Sequence, residues 1–355
     1  MLPYLSEHFG NPSGSHAVAR RAKAALEDAR DEAAAALGCQ PNEVVFTGSG
    51  TEADNLAIAG VVKRRGGVPV CAATEHHAVL HTTEALGGRT VRVDADGVLD
   101  LDHLRHVLTA LGDVTVVSVM LANNEVGTIQ PLEDIIEVVR THAPAAVVHT
   151  DAVQAFPWLD VADRTSTADL VAVSAHKFGG PKGVGALVVR RGTELAPILH
   201  GGGQEQERRS GTHNLAGIVA MAAAMTTTTK HRRATVERVG ALRDRLADGL
   251  LAAVPGAVET GDRTTKVAGN AHLRFAGIES ESLLFLLDEA GVCASAGSAC
   301  ASGAIEPSHV LTAMGIAPDD ATTSVRLSLG STTTDDDVDV ALKVLPEAVA
   351  RLRTP

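Results

Sequence analysis

Short unbroken apolar runs alternate along much of the chain with stretches whose apolar positions recur on a helical period. The runs fall at 43–47, 68–72, 114–121, 146–150, 169–174 and 185–189. Strands that are continuously apolar, rather than alternating, are buried on both faces. The pattern therefore predicts an α/β fold with a mainly parallel sheet sandwiched by helices. Residues 17–37 are Ala-rich with Arg and Glu on a helical period, and Gly38 follows as a stop. From 211 to about 251 the pattern is helical again, with Thr226-Thr227-Thr228-Thr229 as a plausible seam. Beyond 254 a smaller unit is expected, with strands at 271–275, 292–294 and 324–329, a helix near 281–291 and a final helix. The predicted division is a large domain over 1–230 and a smaller C-terminal α+β domain over 231–355. No internal repeat stands out.

Polar residues follow the strands in a telling way. Thr51 comes after the first, His76 after the second, Asn124 after the third, Asp151 after the fourth and Lys177 after the fifth. In open α/β sheets ligands bind beyond the carboxyl ends of the strands, so five segments can serve one crevice. An acid and a lysine so placed suit pyridoxal 5'-phosphate (PLP). The Lys177 amine would form a Schiff base, and the Asp151 carboxylate would keep the pyridine nitrogen protonated so that the ring accepts electrons.

Other segments have a functional and a plain reading. In Thr47-Gly48-Ser49-Gly50-Thr51-Glu52, Ser49, Gly50 and Thr51 are candidates for a phosphate at a helix N-terminus. Taken alone, an ordinary helix cap explains them better. His76 could stack on the ring and move protons, or His76 and His77 could simply be surface residues at a helix start. Asn124, in a sequence that also reads as a turn, could hydrogen-bond the cofactor's phenolic oxygen, and Gln154 could reach the same atom. Gly201-Gly202-Gly203 suggests a loop threading a crowded place, and Ser210-Gly211-Thr212 could open a helix and help hold a phosphate, including that of a neighbouring subunit; a simple connecting loop is the alternative. Arg326 could clamp a substrate carboxylate or serve a structural ion pair. Ala294 to Gly303 is small and polar, with the thiol of Cys300 in its midst, and reads as a mobile loop presenting a nucleophile.

Composition narrows the classes. Only 2% of residues are aromatic, so the core must be built from Ala, Val, Leu and Ile. A net charge of −12 argues against direct binding of nucleic acid or an acidic membrane. Arg20, Arg21, Lys23, Lys230, Arg232 and Arg233 read as solvated helix faces. Cys39, Cys71, Cys293 and Cys300 fit neither a disulfide framework nor a zinc ribbon, which suggests a reducing, cytoplasmic setting. Of these, Cys39, Cys71 and Cys293 read as small core residues. The 15 histidines are scattered without ligand spacing, so no stable metal site is expected. The start has no signal-peptide pattern, and no apolar stretch is long enough to span a bilayer.

Phe9-Gly10-Asn11-Pro12-Ser13, Gly50-Thr51-Glu52, Thr74-Glu75-His76, Asn123-Asn124-Glu125-Val126-Gly127, His149-Thr150-Asp151-Ala152-Val153-Gln154, Ser174-Ala175-His176-Lys177, Arg209-Ser210-Gly211-Thr212 and Ser298-Ala299-Cys300 occur in that order. Together they resemble a cysteine desulfurase of the NifS/IscS type, in the class V aminotransferase family, over nearly the whole chain. The resemblance implies a fold-type I PLP-dependent transferase, usually a homodimer. It implies Lys177, Cys300 and His76 as catalytic residues, with Cys300 accepting sulfur from L-cysteine as a persulfide. It implies Gly50, Thr51, Ser174, His176 and Thr212 at the phosphate, with Asn124, Asp151, Gln154 and His76 around the ring. Asn11 and Arg326 would bind substrate. The sulfur would pass to an acceptor protein, an iron–sulfur scaffold or a thiolase-type acceptor, with Cys300 as a transient iron–sulfur ligand.

The family's usual opening segment, Asp-Asn-Ala-Ala-Thr-Thr, has no counterpart before Met1-Leu2-Pro3-Tyr4. A late start or a shortened protein is the expectation from that difference. The alternatives are a selenocysteine lyase, another class V PLP enzyme, or a non-catalytic scaffold of sulfur transfer.

Overall fold

The structure, a computed structural model, describes residues 1–296 and 307–353. Two compact units are present. The first comprises Met1–Val91, Leu101–Leu121 and Gln130–Arg232; the second comprises Arg92–Asp100, Ala122–Ile129 and Arg233–Pro355.

The first unit is built on a seven-stranded sheet. Its strands are β1 (Val44–Thr47), β2 (Val68–Ala72), β3 (Arg89–Val91), β4 (Val114–Ser118), β5 (Val147–Asp151), β6 (Leu170–Ser174) and β7 (Gly185–Val189). Their order across the sheet is β1-β7-β6-β5-β4-β2-β3. All pairs among β6, β5, β4, β2 and β3 are parallel, while β7 runs antiparallel to both its neighbours. The continuous apolar runs thus mark strands covered on both faces, as the pattern predicts. Strand β3 has no such run, because two of its three residues are exposed.

Helix Gly50–Arg65 shows how local chemistry sets the architecture. Ser49 caps it by accepting from the Glu52 N–H at 3.1 Å, and Lys63, Arg64 and Arg65 complement the dipole in its last turn. Its Ala53, Leu56, Ala57, Ile58 and Val61 pack against Val45, Val116, Val147, Leu170 and Leu187 of the sheet. Truncating Leu56, which is fully buried, removes about 2–5 kcal/mol of packing. Helix Ala17–Leu37 stops at Gly38 as predicted. Helix Leu215–Ala253 runs through Thr226-Thr227-Thr228-Thr229 without a break, and the boundary between the two units falls within it, at Arg232/Arg233, among the basic residues that follow the threonines. Thr227 returns its hydroxyl to the Ala223 carbonyl at 2.8 Å, which lets it sit inside a helix. Arg232, expected on a solvated face, is only partly exposed. Its guanidinium lies over the Phe156 ring and its Nε donates to the Phe156 carbonyl.

The second unit carries an antiparallel sheet of β8 (Ala257–Glu259), β9 (Asn270–Phe275), β10 (Ser295–Ala296) and β11 (Ser324–Ser328), ordered β10-β11-β9-β8. A satellite core of Val126, Val310, Leu311, Met314 and Ala321 lies in the same unit. The strand expected at 292–294 is displaced to β10. Cys293, just before it, is exposed, and Cys39 is half-buried, so of the three cysteines read as core only Cys71 is buried. Among the described residues no helix is long and apolar enough to cross a membrane.

Candidate active site

The carboxyl ends of β1, β2, β5 and β6 carry the first unit's candidate residues other than Asn11 and Thr212. Asp151 ends β5, the middle strand, and lies opposite Ala172 of β6. Three residues past the end of β6 comes Lys177, exposed. Asp151 is 5% exposed, yet its one hydrogen bond among the described residues is from the Val153 N–H to Oδ1, at 2.8 Å. Burial pushes its carboxyl up to about 6, against the Val153 N–H and the Lys177 charge, which both pull it down.

Its neighbours reinforce this. Asp54 is held well above the usual carboxylate range by burial and by the negative charges of Asp151 and Glu75. Glu75 is also raised by burial, although its Oε1 accepts from the Met120 N–H at 2.7 Å. His149, two residues before Asp151, is fully buried and lowered to about 3 by that burial, hence neutral. Its Nδ1 meets the Ser118 hydroxyl at 2.8 Å, and its Nε2 lies 3.6 Å from Asp54 Oδ1. Burial thus raises both acids near Asp151 and leaves the imidazole beside it neutral.

His76 caps helix His77–Ala85, its Nδ1 accepting from the Ala78 N–H at 3.1 Å. That bond assigns the proton of the neutral ring to Nε2. Ser174 Oγ and His176 Nδ1 are 2.9 Å apart, and His176 is lowered by burial and by Lys177 and Lys182. Gly50 sits against the same strand end. A Cβ there would lie 2.8 Å from Val153 Cγ2 and 3.2 Å from Ser174 Cβ. Thr51, Gln154 and Thr212 make no side-chain hydrogen bond among the described residues, and Asn11 Oδ1 is taken by the Ser13 N–H.

In the second unit the structure brings Asn124 and Arg326 together. Arg326, on β11 opposite His272, donates from Nη1 to the Asn124 carbonyl at 3.1 Å. Its Nε and the Asn124 Oδ1 have no hydrogen-bond partner among the described residues. The turn is built by its own sequence. Asn123 Oδ1 accepts from the N–H groups of Glu125 and Val126, and Gly127 turns the chain at φ +82° where a Cβ would strike Asn270. Cys300 lies outside the described residues.

One feature has no motif. Glu205, Gln206 and Glu207 all have positive φ, at 51°, 57° and 65°. Each such non-glycine residue costs ~1–2 kcal/mol. The buried Glu205 carboxylate accepts from Arg30 through two nitrogens (2.7 and 2.9 Å) and from the Phe46 N–H (2.9 Å), and meets His213 Nε2 at 2.7 Å. These partners hold it at about 2 despite burial. Nothing in the charged run 205–209 distinguishes this residue from a solvated loop.

A PLP molecule fits what the first unit offers. Asp151 is a buried carboxylate with acceptor capacity to spare, as a pyridinium N–H requires, and the glycine cradle at Gly50 adjoins Ser174. The aminotransferase class-V family model matches residues 1–341. A cysteine desulfurase IscS of Methanosarcina thermophila is 43% identical, over 99% of this chain and 88% of the relative. A solved NifS-like protein superposes with a TM-score of 0.92 at 34% identity, covering 99% of this chain and 94% of that one. The protein SspA, solved in complex with cysteine, gives a TM-score of 0.79 at 31% identity, with 94% of each chain covered. Members of this family are generally PLP-dependent. The chain belongs to the class-V aminotransferase family.

Proposed function

We propose that the chain is a PLP-dependent cysteine desulfurase, converting L-cysteine to L-alanine and passing the sulfur to Cys300 and then to an acceptor protein. The observation that carries this reading is the under-satisfied, buried Asp151 at the end of β5, within the field of Lys177 just past the end of the neighbouring β6. When bound, the cofactor supplies an electron sink at the substrate α-carbon.

The chain's own residues do the rest. Lys177 would hold the cofactor through its aldehyde, and its amine would serve as the base for the substrate α-proton. Asp151 keeps the ring nitrogen protonated. His76, with its mobile proton on Nε2, serves the ring and the proton transfers at sulfur. Gly50, Thr51, Ser174, His176 and Thr212 hold the phosphate, Thr212 on the partner's cofactor in a homodimer. Asn124 and Gln154 serve the ring oxygen, and Asn11 and Arg326 the substrate carboxylate; the free Arg326 Nε supports the last role. The Cys300 thiolate attacks the substrate sulfur. An S–S bond forms, the carbon–sulfur bond breaks, and the carbon takes a proton to leave as alanine. The free Cys39, Cys71 and Cys293 support a reducing, cytoplasmic setting.

The test is alanine formation from L-cysteine by the PLP-loaded chain under a reductant, with Cys300→Ala and Lys177→Ala alongside. Activity lost in both variants supports the reading. A loaded wild-type chain that makes no alanine defeats it.

A further inference from the structure

The turn Glu205–Glu207 is held where it would not rest by itself. Among the described residues its three members are the only non-glycine residues with positive φ. Consecutive left-handed residues persist where the surroundings over-determine them, and such strain gathers at functional sites. None of the roles assigned above uses Glu205, Arg30 or His213.

What the turn controls follows from its ties. Glu205 binds the Phe46 N–H, and Phe46 belongs to β1, the strand that enters the turn at Gly48. Two residues past the strained turn, Arg209 pairs with Glu52 in the first turn of helix Gly50–Arg65, at 2.6 and 3.2 Å. Glu52 Oε2 in turn accepts from the Gly48 N–H at 2.7 Å. Gly211 N–H donates to Gln204 Oε1 at 2.8 Å, just before Thr212. The strained segment therefore grips the strand that enters the phosphate turn and the helix that leaves it, and sets the course of the residues leading to Thr212.

We infer that Glu205, clamped by Arg30, Phe46 and His213, is a positioning residue for the cofactor's phosphate. It acts through Arg209, Glu52 and Gly48 rather than by touching the ligand. This inference rests on the PLP reading above.

A pair of ligands isolates the effect. The PLP-free chain is titrated with PLP and, separately, with pyridoxal, which lacks the phosphate, following the visible absorbance of the lysine adduct. Glu205→Gln is expected to weaken PLP about tenfold and leave pyridoxal within about twofold. A merely structural role would weaken both alike. Equal losses on the two ligands, or no loss on either, overturn the inference. Glu205→Gln leaves the Arg30 charge buried without its partner, which endangers folding. The double variant Arg30→Met with Glu205→Leu removes both charges and carries the same expectation. If the wild-type chain takes up neither aldehyde, the cofactor reading falls and this inference with it. If the wild type binds both and the variants match it, this inference alone falls.

Discussion

Asp151 and Glu205 are buried carboxylates in one unit, and they are treated in opposite ways. Glu205 is saturated, with a two-pronged guanidinium, a backbone N–H and an imidazole, and it stays ionised down to about 2. Asp151 has a single backbone donor and is pushed up to about 6. Burial costs both. In Glu205 the chain offsets that cost internally, which makes it a structural pin. In Asp151 it leaves the cost unmet, which makes the residue ready for a positively charged donor brought from outside. A satisfied buried charge organises the protein; an unsatisfied one awaits a ligand.

The largest effect should separate the two by kind. Asp151→Asn removes the charge that would face the ring nitrogen, and alanine formation should fall by about 10³-fold, the size of a broken buried pair. Near pH 7 the cofactor-free chain should gain roughly 2–3 kcal/mol, since the uncompensated buried charge is removed and Asp151 has no internal salt bridge to lose. A variant that keeps near wild-type turnover would show that Asp151 is not the ring's partner. Glu205→Gln should do the reverse to stability. Urea denaturation of the cofactor-free chain should show a loss of about 3 kcal/mol, because the Arg30 charge stays buried. A loss below about 1 kcal/mol would mean that Arg30 finds water and that the clamp is weak.

The pH dependence sharpens the contrast, because the slopes have opposite signs. Glu205 lies at about 2 when folded, against 4.5 for the free side chain. Its contribution is whole above 4.5 and is lost as the pH falls through about 2. Asp151 lies at about 6, against 3.8. The folded chain then binds its proton more tightly, so that contribution is whole below 3.8 and is lost as the pH rises through about 6. Each amounts to roughly 2–3 kcal/mol. Denaturation of the cofactor-free chain from pH 7 down to 3 should show Asp151→Asn without the gain in stability that the wild type makes as the pH falls from about 6 to 3.8. Glu205→Gln should lack the acid-side loss below 4.5. Identical profiles for wild type and Asp151→Asn would deny the burial argument.

The two carboxylates also differ in how they stood in the sequence. Asp151 was legible because its role follows from local pattern: an apolar run, then an acid at the strand's end. Lys177 and the Gly50 turn are of the same kind. The Asn124 turn is legible because Asn123 and Gly127 build it from within five residues. Glu205 was illegible, since its partner Arg30 lies 175 residues earlier and its own neighbours are charged. Arg232 was misread for the same reason, its burial over Phe156 being a tertiary contact. Asp54 and His149 matter through what surrounds Asp151, which no spacing announces.

The smallest effect tests whether the Glu205–Glu207 turn is truly strained. Gln206 is its middle residue, at φ 57° and ψ 41°, and is exposed. Glycine occupies that region without a Cβ penalty, so Gln206→Gly should relieve strain that the native side chain incurs. Against this stand the greater freedom of glycine in the unfolded chain and the loss of the exposed Gln206 bond to the Asn42 carbonyl at 3.2 Å. The terms leave a net gain of roughly 0.5–1 kcal/mol, readable as a shifted urea midpoint at unchanged slope. PLP affinity should stay as in the wild type, since the clamp at Glu205 is intact. Destabilisation by Gln206→Gly would mean that the left-handed turn carries little strain, and the contrast between the two carboxylates would then rest on their hydrogen bonds alone.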